Sequence, residues 1–351
     1  MQRSERGSCK TCGRIGDLGA GQGSAAGINR QTEKESEKKM DKFDDAVELF
    51  KLGAGMSLRY HEKPIVVAYS GGKDSDVLVQ VALASGMPFE VRNNHTTVDA
   101  PQTVYHIREK FKQLEEQGIK CFIEHAEYKG KRTTMWDLIV QKAIPPTRSL
   151  RYCCQVLKEG SGEGRVIATG VRWEESTQRK TRKEIETIAR TKAGSVGFNR
   201  KQEDYEQLSL TEGGEIILQN DNDARRKVIE HCQLKSKIAI NPIIKLTEKD
   251  VWEILKWQKV ETNILYKMGY VRVGCIGCPM AGTCQRKKEF EDFPKYKQAY
   301  IRAFERMTIE RKRRGLETKW KSGEEVFEWW IEETQMNGQL YFDEYGEMHE
   351  Y

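Results

Sequence analysis

A chain of 351 residues, 38% of them hydrophobic and 32% charged, has the length for about two domains and the make-up of a polar, globular protein. It holds no apolar run of the roughly 20 residues that cross a bilayer, and Met1 to Gly27 lacks the apolar core of a secretory signal, so the expected compartment is the cytoplasm, with no membrane partner. The net charge of +6 suits an anionic ligand, nucleic acid included, but does not require one.

Residues 1–39 are rich in Gly, Ser, Lys and Glu and are expected to form a disordered tail, with Cys9 and Cys12 inside it. From Met40 the segment MDKFDDAVELFKLG has helical periodicity, and Asp41 is its expected N-cap. Ile65–Tyr69 is an apolar run of strand length. A helix follows over Val77–Ala84, then a strand over Phe89–Arg92. Pro101–Gln117 reads as a helix with Val104, Ile107, Phe111 and Leu114 on one face. Cys121–Glu124 is the third strand, Trp136–Lys142 a helix, Val166–Thr169 a further strand and Glu174–Lys192 a further helix. This β-α-β-α rhythm predicts a doubly wound, mainly parallel, Rossmann-like α/β sheet with helices on both faces. Residues 196–236 are polar and read as an insertion. Thr247 and Asp250 form a cap pair at the head of an amphipathic helix, and 286–351 is helical and highly charged.

Between the first strand and its helix stands Ser70-Gly71-Gly72-Lys73-Asp74-Ser75. The free N–H groups of a first helical turn point outward there, and the helix dipole is positive. Two glycines let successive amides converge on an anion. Ser70, Ser75 and Lys73 add donors and a charge, so the loop reads as a phosphate cradle. It is neither GxxxxGK[ST] nor GxGxxG. Thr169-Gly170-Val171-Arg172 ends a second strand, and loops at strand C-termini share a crevice in open parallel sheets. The two loops can therefore hold one nucleotide. The expected binding residues are Ser70, Gly71, Gly72, Lys73, Asp74, Ser75, Gly170, Arg172 and Arg179, with Lys73, Asp74 and Arg172 as the catalytic candidates. Arg172 and Arg179 are expected to meet phosphates, with Arg148, Arg151 and Lys158 adding to the field. Asp99, after the second strand, is a further pocket candidate.

Six of the nine cysteines are close to another. Cys153, Cys154, Cys275 and Cys278 make four thiols in two pairs, a set that can hold a [4Fe–4S] cluster or tetrahedral zinc, or can stay metal-free. Cys284 is a possible substitute ligand or reactive thiol.

SGGKDS resembles the pyrophosphate-binding loop (PP-loop) of the ATP-pyrophosphatase and phosphoadenosine phosphosulfate (PAPS) reductase superfamily, whose fold is adenine nucleotide alpha hydrolase-like. RSLRYCC with Lys158, TGVRWEESTQR (169–179), and NPI with LTEKDVW followed by GYVRVGCIGCPM (241–280) resemble the PAPS reductase family in its order, over roughly residues 60–310. The resemblance implies a nucleotide-binding α/β domain over 40–260 and a cysteine-containing, helical region over 261–351. The Cys-Cys…Cys-x-x-Cys pattern is similar to that of iron–sulfur adenylylsulfate reductases, which puts [4Fe–4S] ahead of zinc. Sulfonucleotide reductases of this family use a tail cysteine as nucleophile, and none follows Cys284 here. The intact loop favours ATP with pyrophosphate as leaving group. The expected reaction is ATP cleavage between the α- and β-phosphates, assisted by Mg²⁺, in adenylation of an acceptor and transfer of sulfur to it. The alternatives are reduction of PAPS or adenylylsulfate to release sulfite, with Cys284 or a partner thiol as nucleophile, and a non-catalytic nucleotide-sensing subunit. The implied partners are a sulfur donor protein and a nucleic acid acceptor, tRNA or DNA, as in tRNA thiolation and DNA phosphorothioation proteins. In KYKQAYIRAFERMTIERKRRGLETKWK, Tyr296, Tyr300, Ile301 and Phe304 fit one helix face, so the stretch reads first as core packing with a solvated basic back; the alternative is a surface for RNA or DNA phosphates that includes Arg311–Arg314.

Overall fold

Ile65, Val66 and Val67 are all buried, as residues of a strand covered on both faces must be. In the computed structural model, which describes residues 25–158, 164–188, 205–207, 237–332, 340–342 and 348–350, they lie at the centre of a sheet. The chain runs α1 (Ala25–His61), β1 (Ile65–Ala68), α2 (Lys73–Ser85), β2 (Phe89–His95), α3 (Pro101–Glu116) and β3 (Lys120–His125). A small hairpin, β4 (Glu127–Tyr128) and β5 (Lys131–Arg132), leads to α4 (Met135–Lys142), α5 (Tyr152–Leu157) and β6 (Val166–Ala168). Next come β7 (Ile185–Ile188), β8 (Tyr205–Gln207), β9 (Lys237–Ile240) and α6 (Glu248–Trp257). Helices α7 (Thr283–Asp292), α8 (Pro294–Arg313) and α9 (Gly323–Glu332) follow, then a short pair, β10 (Leu340–Phe342) and β11 (Met348–Glu350).

Among the described residues the main sheet has seven strands in the order β3-β2-β1-β6-β9-β7-β8. The first five are mutually parallel, while β7 runs antiparallel to β9 and β8 antiparallel to β7. In register, Val66 stands between Glu90 on β2 and Ile167 on β6. The order reverses at β1: the chain steps outward to β2 and β3, then returns to the other side of β1 as β6. That reversal opens the crevice that carries the site.

Two apolar cores form. One joins α1, α2, α3 and α6 to the sheet through residues such as Phe50, Ile65, Leu78, Phe111 and Val251. The other gathers α4, α5, α7, α8 and α9 around Tyr300, Phe304 and Trp330. Tyr300 and Trp330 stack at 4.7 Å, and the indole N–H of Trp330 donates to Pro146 O at 2.6 Å. The second core therefore takes 135–157 from mid-chain as well as the C-terminal helices. Helix α6 begins with the expected cap pair: Thr247 Oγ1 accepts from the Asp250 N–H at 3.2 Å, and Asp250 Oδ2 from the Thr247 N–H at 2.8 Å.

Three expectations change. The first helix begins at Ala25 rather than Met40, so 25–39 is helical instead of a disordered tail; its Lys, Glu and Gln are good helix formers. Residues 1–24, with Cys9 and Cys12, lie outside the described residues. Glu174–Lys192 is not a helix: two 3-10 turns, Trp173–Glu175 and Thr177–Thr181, lead into β7. Ile185, Thr187 and Ile188 are β-branched, and pairing with β9 overrides the helical pattern. Of the insertion at 196–236, only 205–207 is described, and it extends the sheet as β8.

Candidate functional site

The loops after β1 and β6 meet where the sheet order reverses. Gly170 lies so close to the first loop that a Cβ on it would stand 3.3 Å from the Asp74 carbonyl carbon and 3.5 Å from Ser75 N. Gly71 has φ of +73°, and a Cβ there would come within 2.9 Å of Ile107 on α3. Glycine is the residue that tolerates this conformation and this approach. The loop is also tied internally. Ser75 Oγ donates to Gly72 O at 2.7 Å and accepts from the Gly72 N–H at 3.2 Å, with Ser70 Oγ 3.4 Å away. From outside, the buried Asn263 amide donates to Gly71 O at 3.2 Å and to Thr103 Oγ1 at 3.0 Å. The hydroxyl of Tyr266 accepts from the Lys73 N–H at 2.9 Å.

A closed ionic network stands beside the loop. Arg172, with 2% of its side chain exposed, donates to Asp74 at 2.5 Å, to Glu248 at 2.7 Å and to Glu174 at 3.2 Å. The Lys73 ammonium lies 3.3 Å from Asp74 and 3.4 Å from Glu248. The Glu248 N–H also donates to Glu174. Burial opposes the charge on Arg172, but Asp74 and Glu248 outweigh it and hold the guanidinium charged. Arg172 was expected to reach phosphates; in the structure its guanidinium meets carboxylates. Its fork is committed to carboxylates, so it orients Asp74, the neighbour of Lys73, from behind.

Arg179 lies at the mouth, about a third exposed and paired with Glu175. Burial lowers its pKa, and repulsion from Arg272, Arg182 and Arg151 lowers it further; it remains cationic. Arginines from three segments thus lie near enough to repel one another, with Arg179 paired to Glu175 and Arg182 to Glu186. Arg148 is committed elsewhere, its Nε donating to Pro279 O at 3.2 Å. Asp99 belongs to the cysteine side: its backbone bridges to Cys275, and its carboxylate accepts from the Thr96 N–H at 2.9 Å.

The four cysteines of the two motifs converge. Cys153 and Cys275 are buried, Cys154 and Cys278 half-buried. The Cys153 thiol is raised by its hydrogen bond to Cys154, by burial, and by the charges of Cys154, Cys275 and Cys278. Cys154 is held low by the bond from Cys153 against its own burial, and by Lys158 and Arg151. Burial pushes Cys275 up to about 11. The Arg148 bond to Pro279 O and the Tyr300 hydroxyl on Ile276 O at 2.9 Å hold the Cys-x-x-Cys turn in place. Four sulfurs without imidazole among them are a donor set that suits a cluster or zinc. Among the described residues, no three His, Cys, Asp or Glu side chains are spaced to hold one metal ion. Cys284 is exposed at the start of α7, outside this group.

Sequence reasoning missed Asn263, Tyr266 and Glu248. Glu248 lies inside LTEKDVW, where it read as part of a helix start. Asn263 and Tyr266 sit in ETNILY, which has no glycine or charge pattern to mark a binding loop. In the basic stretch, Arg311 turns inward to donate to Ala143 O at 2.7 Å, and Arg313 and Arg314 pair with Glu310. The basic stretch is thus largely occupied by its own contacts.

An open, mostly parallel sheet with a glycine-rich anion cradle at its order reversal defines a nucleotide-site architecture. The model of the phosphoadenosine phosphosulfate reductase domain matches residues 64–281, a span that includes both loops and both cysteine pairs. The chain belongs to that family. An uncharacterized protein of Methanocaldococcus jannaschii is 26% identical over 236 residues, which are 67% of this chain and 40% of that protein. The chain thus spans less than half of that relative's length. Among solved structures, the FMN adenylyltransferase of Candida glabrata, in complex with FMN and the ATP analog AMPCPP, is 12% identical with a TM-score of 0.38, over 68% of this chain and 64% of that one. The PAPS reductase of Candida auris, a phosphate complex, is 14% identical with a TM-score of 0.36, over 73% of this chain and 98% of that one. Scores this low carry no weight beside the family match. Among the described residues no helix is long and apolar enough to cross a membrane.

Proposed function

We propose that this protein binds ATP between the 70–75 and 169–172 loops and cleaves it between the α- and β-phosphates, adenylating an acceptor that then receives sulfur. The observation that supports this reading is the close approach of Gly170 to Asp74 and Ser75, which sets the two loops side by side, within reach of one phosphate chain. An acceptor oxygen attacks the α-phosphorus, the bond to the β-phosphate breaks, and pyrophosphate leaves. Charge grows on the departing group. Lys73, held between Asp74 and Glu248, would be aimed at it, and the Lys73 N–H would join it on leaving the Tyr266 hydroxyl. Arg179 and Arg272 would draw the anion to the mouth. Mg²⁺ would neutralise phosphate charge and would be held through the nucleotide, because the oxygens of Asp74 and Glu248 are taken by Arg172, Lys73 and the Trp252 indole.

Cys153, Cys154, Cys275 and Cys278 would hold a [4Fe–4S] cluster, which when bound supplies a structural tie between the two segments or a site for sulfur. Lys158 and Arg151 favour the thiolate form at Cys154. Anaerobically purified protein is expected to show broad visible absorbance, lost in Cys153→Ala. Stoichiometric zinc without colour would replace the cluster in this account.

The reaction is tested by incubating the protein with ATP and, separately, with PAPS and a thiol. Pyrophosphate from ATP is expected. Sulfite from PAPS without pyrophosphate from ATP would replace this reading with sulfonucleotide reduction.

A further inference from the structure

The cradle's first helical amide is already engaged. The Lys73 N–H donates to the Tyr266 hydroxyl at 2.9 Å, and that oxygen lies 3.4 Å from where a Cβ on Gly72 would stand. The ring also faces the Lys73 ammonium, 5.8 Å from its centroid. A neutral phenol oxygen therefore sits on the loop's own donor, beside the loop's own cation.

The way Tyr266 is mounted matters. It ends the 3-10 turn Ile264–Tyr266, whose preceding residue, Asn263, is buried and bonded to Gly71 O. That anchor fixes the turn to the loop. Beyond it the chain comes to the surface, with Ile264, Met268 and Val271 exposed. The tyrosine is thus positioned from one side and loosely covered on the other. Its ring meets Trp252 edge-on at 5.1 Å. The Trp252 indole N–H donates to Glu248 at 3.1 Å, and the other oxygen of Glu248 holds Lys73 and Arg172. Movement of Tyr266 is therefore felt by an indole on the ionic network.

A phosphoryl oxygen bears charge, and a charge-assisted bond to an N–H is roughly twice as strong as a neutral one. We propose that Tyr266 is a displaceable gate on the phosphate loop: its hydroxyl holds the Lys73 amide until a phosphoryl oxygen takes it. The gate makes the loop selective for ligands that deliver an oxygen to that amide. Pyrophosphate and ATP move Tyr266, and AMP, bound through its α-phosphate alone, leaves it seated. This proposal rests on the nucleotide reading above.

The full chain is titrated with inorganic pyrophosphate, ATP and AMP, following tryptophan emission and, in parallel, heat. Pyrophosphate and ATP are expected to change the emission and AMP to leave it unchanged; Trp252→Phe is expected to remove the change and so assign it. Tyr266→Phe keeps the ring but lacks the competing oxygen. It is expected to bind pyrophosphate about five-fold tighter, the worth of one neutral hydrogen bond. Equal or weaker pyrophosphate binding by Tyr266→Phe overturns the gate, as does heat of pyrophosphate binding in the wild type without any change in emission. Heat from neither pyrophosphate nor ATP in either protein overturns the nucleotide reading itself, and the gate with it.

Discussion

Arg172→Ala is expected to cost about 1.5–3 kcal/mol of folding stability, the worth of hydrogen bonds to charged groups, and to abolish nucleotide binding together. The reason is that one buried guanidinium serves three carboxylates. Arg172 is enclosed, and its fork meets Asp74, Glu174 and Glu248. Removing it leaves three carboxylates near one another, with Lys73 the remaining cation on Asp74 and Glu248 and the Glu248 N–H the remaining donor to Glu174. Their repulsion swings Asp74 away, and Asp74 is the residue whose backbone Gly170 touches. Arg172→Lys returns one charge without the planar fork and is expected to recover part of the stability and little of the binding. Urea unfolding and calorimetric titration with ATP read the two effects. A loss of under about 1 kcal/mol, the value of an exposed pair, would show that the network is not the brace described.

Lys73→Met carries the second large effect. The ammonium lies between Asp74 and Glu248, at the helix start where the departing pyrophosphate would rest. Methionine keeps most of the stem volume and removes the charge. Pyrophosphate release from ATP is expected to fall about 10²–10³-fold, as when one donor to developing negative charge is lost. Arg172 still neutralises the carboxylates, so the fold is expected to survive with a smaller loss than in Arg172→Ala. A rate within two-fold of wild type at saturating ATP would remove Lys73 from the chemistry.

The residues that could be read in the sequence are those whose chemistry is local. Gly71, Gly72 and Lys73 announce a cradle because glycines and a lysine between a strand and a helix have few other uses. Ile65–Val67 and Ile167 announce buried strands because they are apolar throughout. The cap pair at Thr247 and Asp250 is a four-residue pattern, and it forms as read. What stayed hidden depends on distant contacts. Arg172 looks like a phosphate ligand until Glu248, 76 positions further on, occupies its fork. Tyr266 acquires meaning only from the Lys73 amide, 193 positions away. The strand at 185–188 is fixed by its partner β9, so its charged flanks read as a helix. The helical reach of α1 back to Ala25 was masked by glycine- and serine-rich residues next to it.

The account depends on one phosphate chain lying between the loops at β1 and β6. Equilibrium dialysis with labelled ATP, comparing the wild type with Gly170→Val, addresses this directly. A valine there presses on the Asp74 and Ser75 backbone and forces the loops apart. The wild type is expected to bind ATP saturably, and the variant to keep a cooperative melt at a lowered temperature while losing that binding at a temperature where it is still folded. ATP binding of equal strength in both proteins, or none in the wild type, would contradict it.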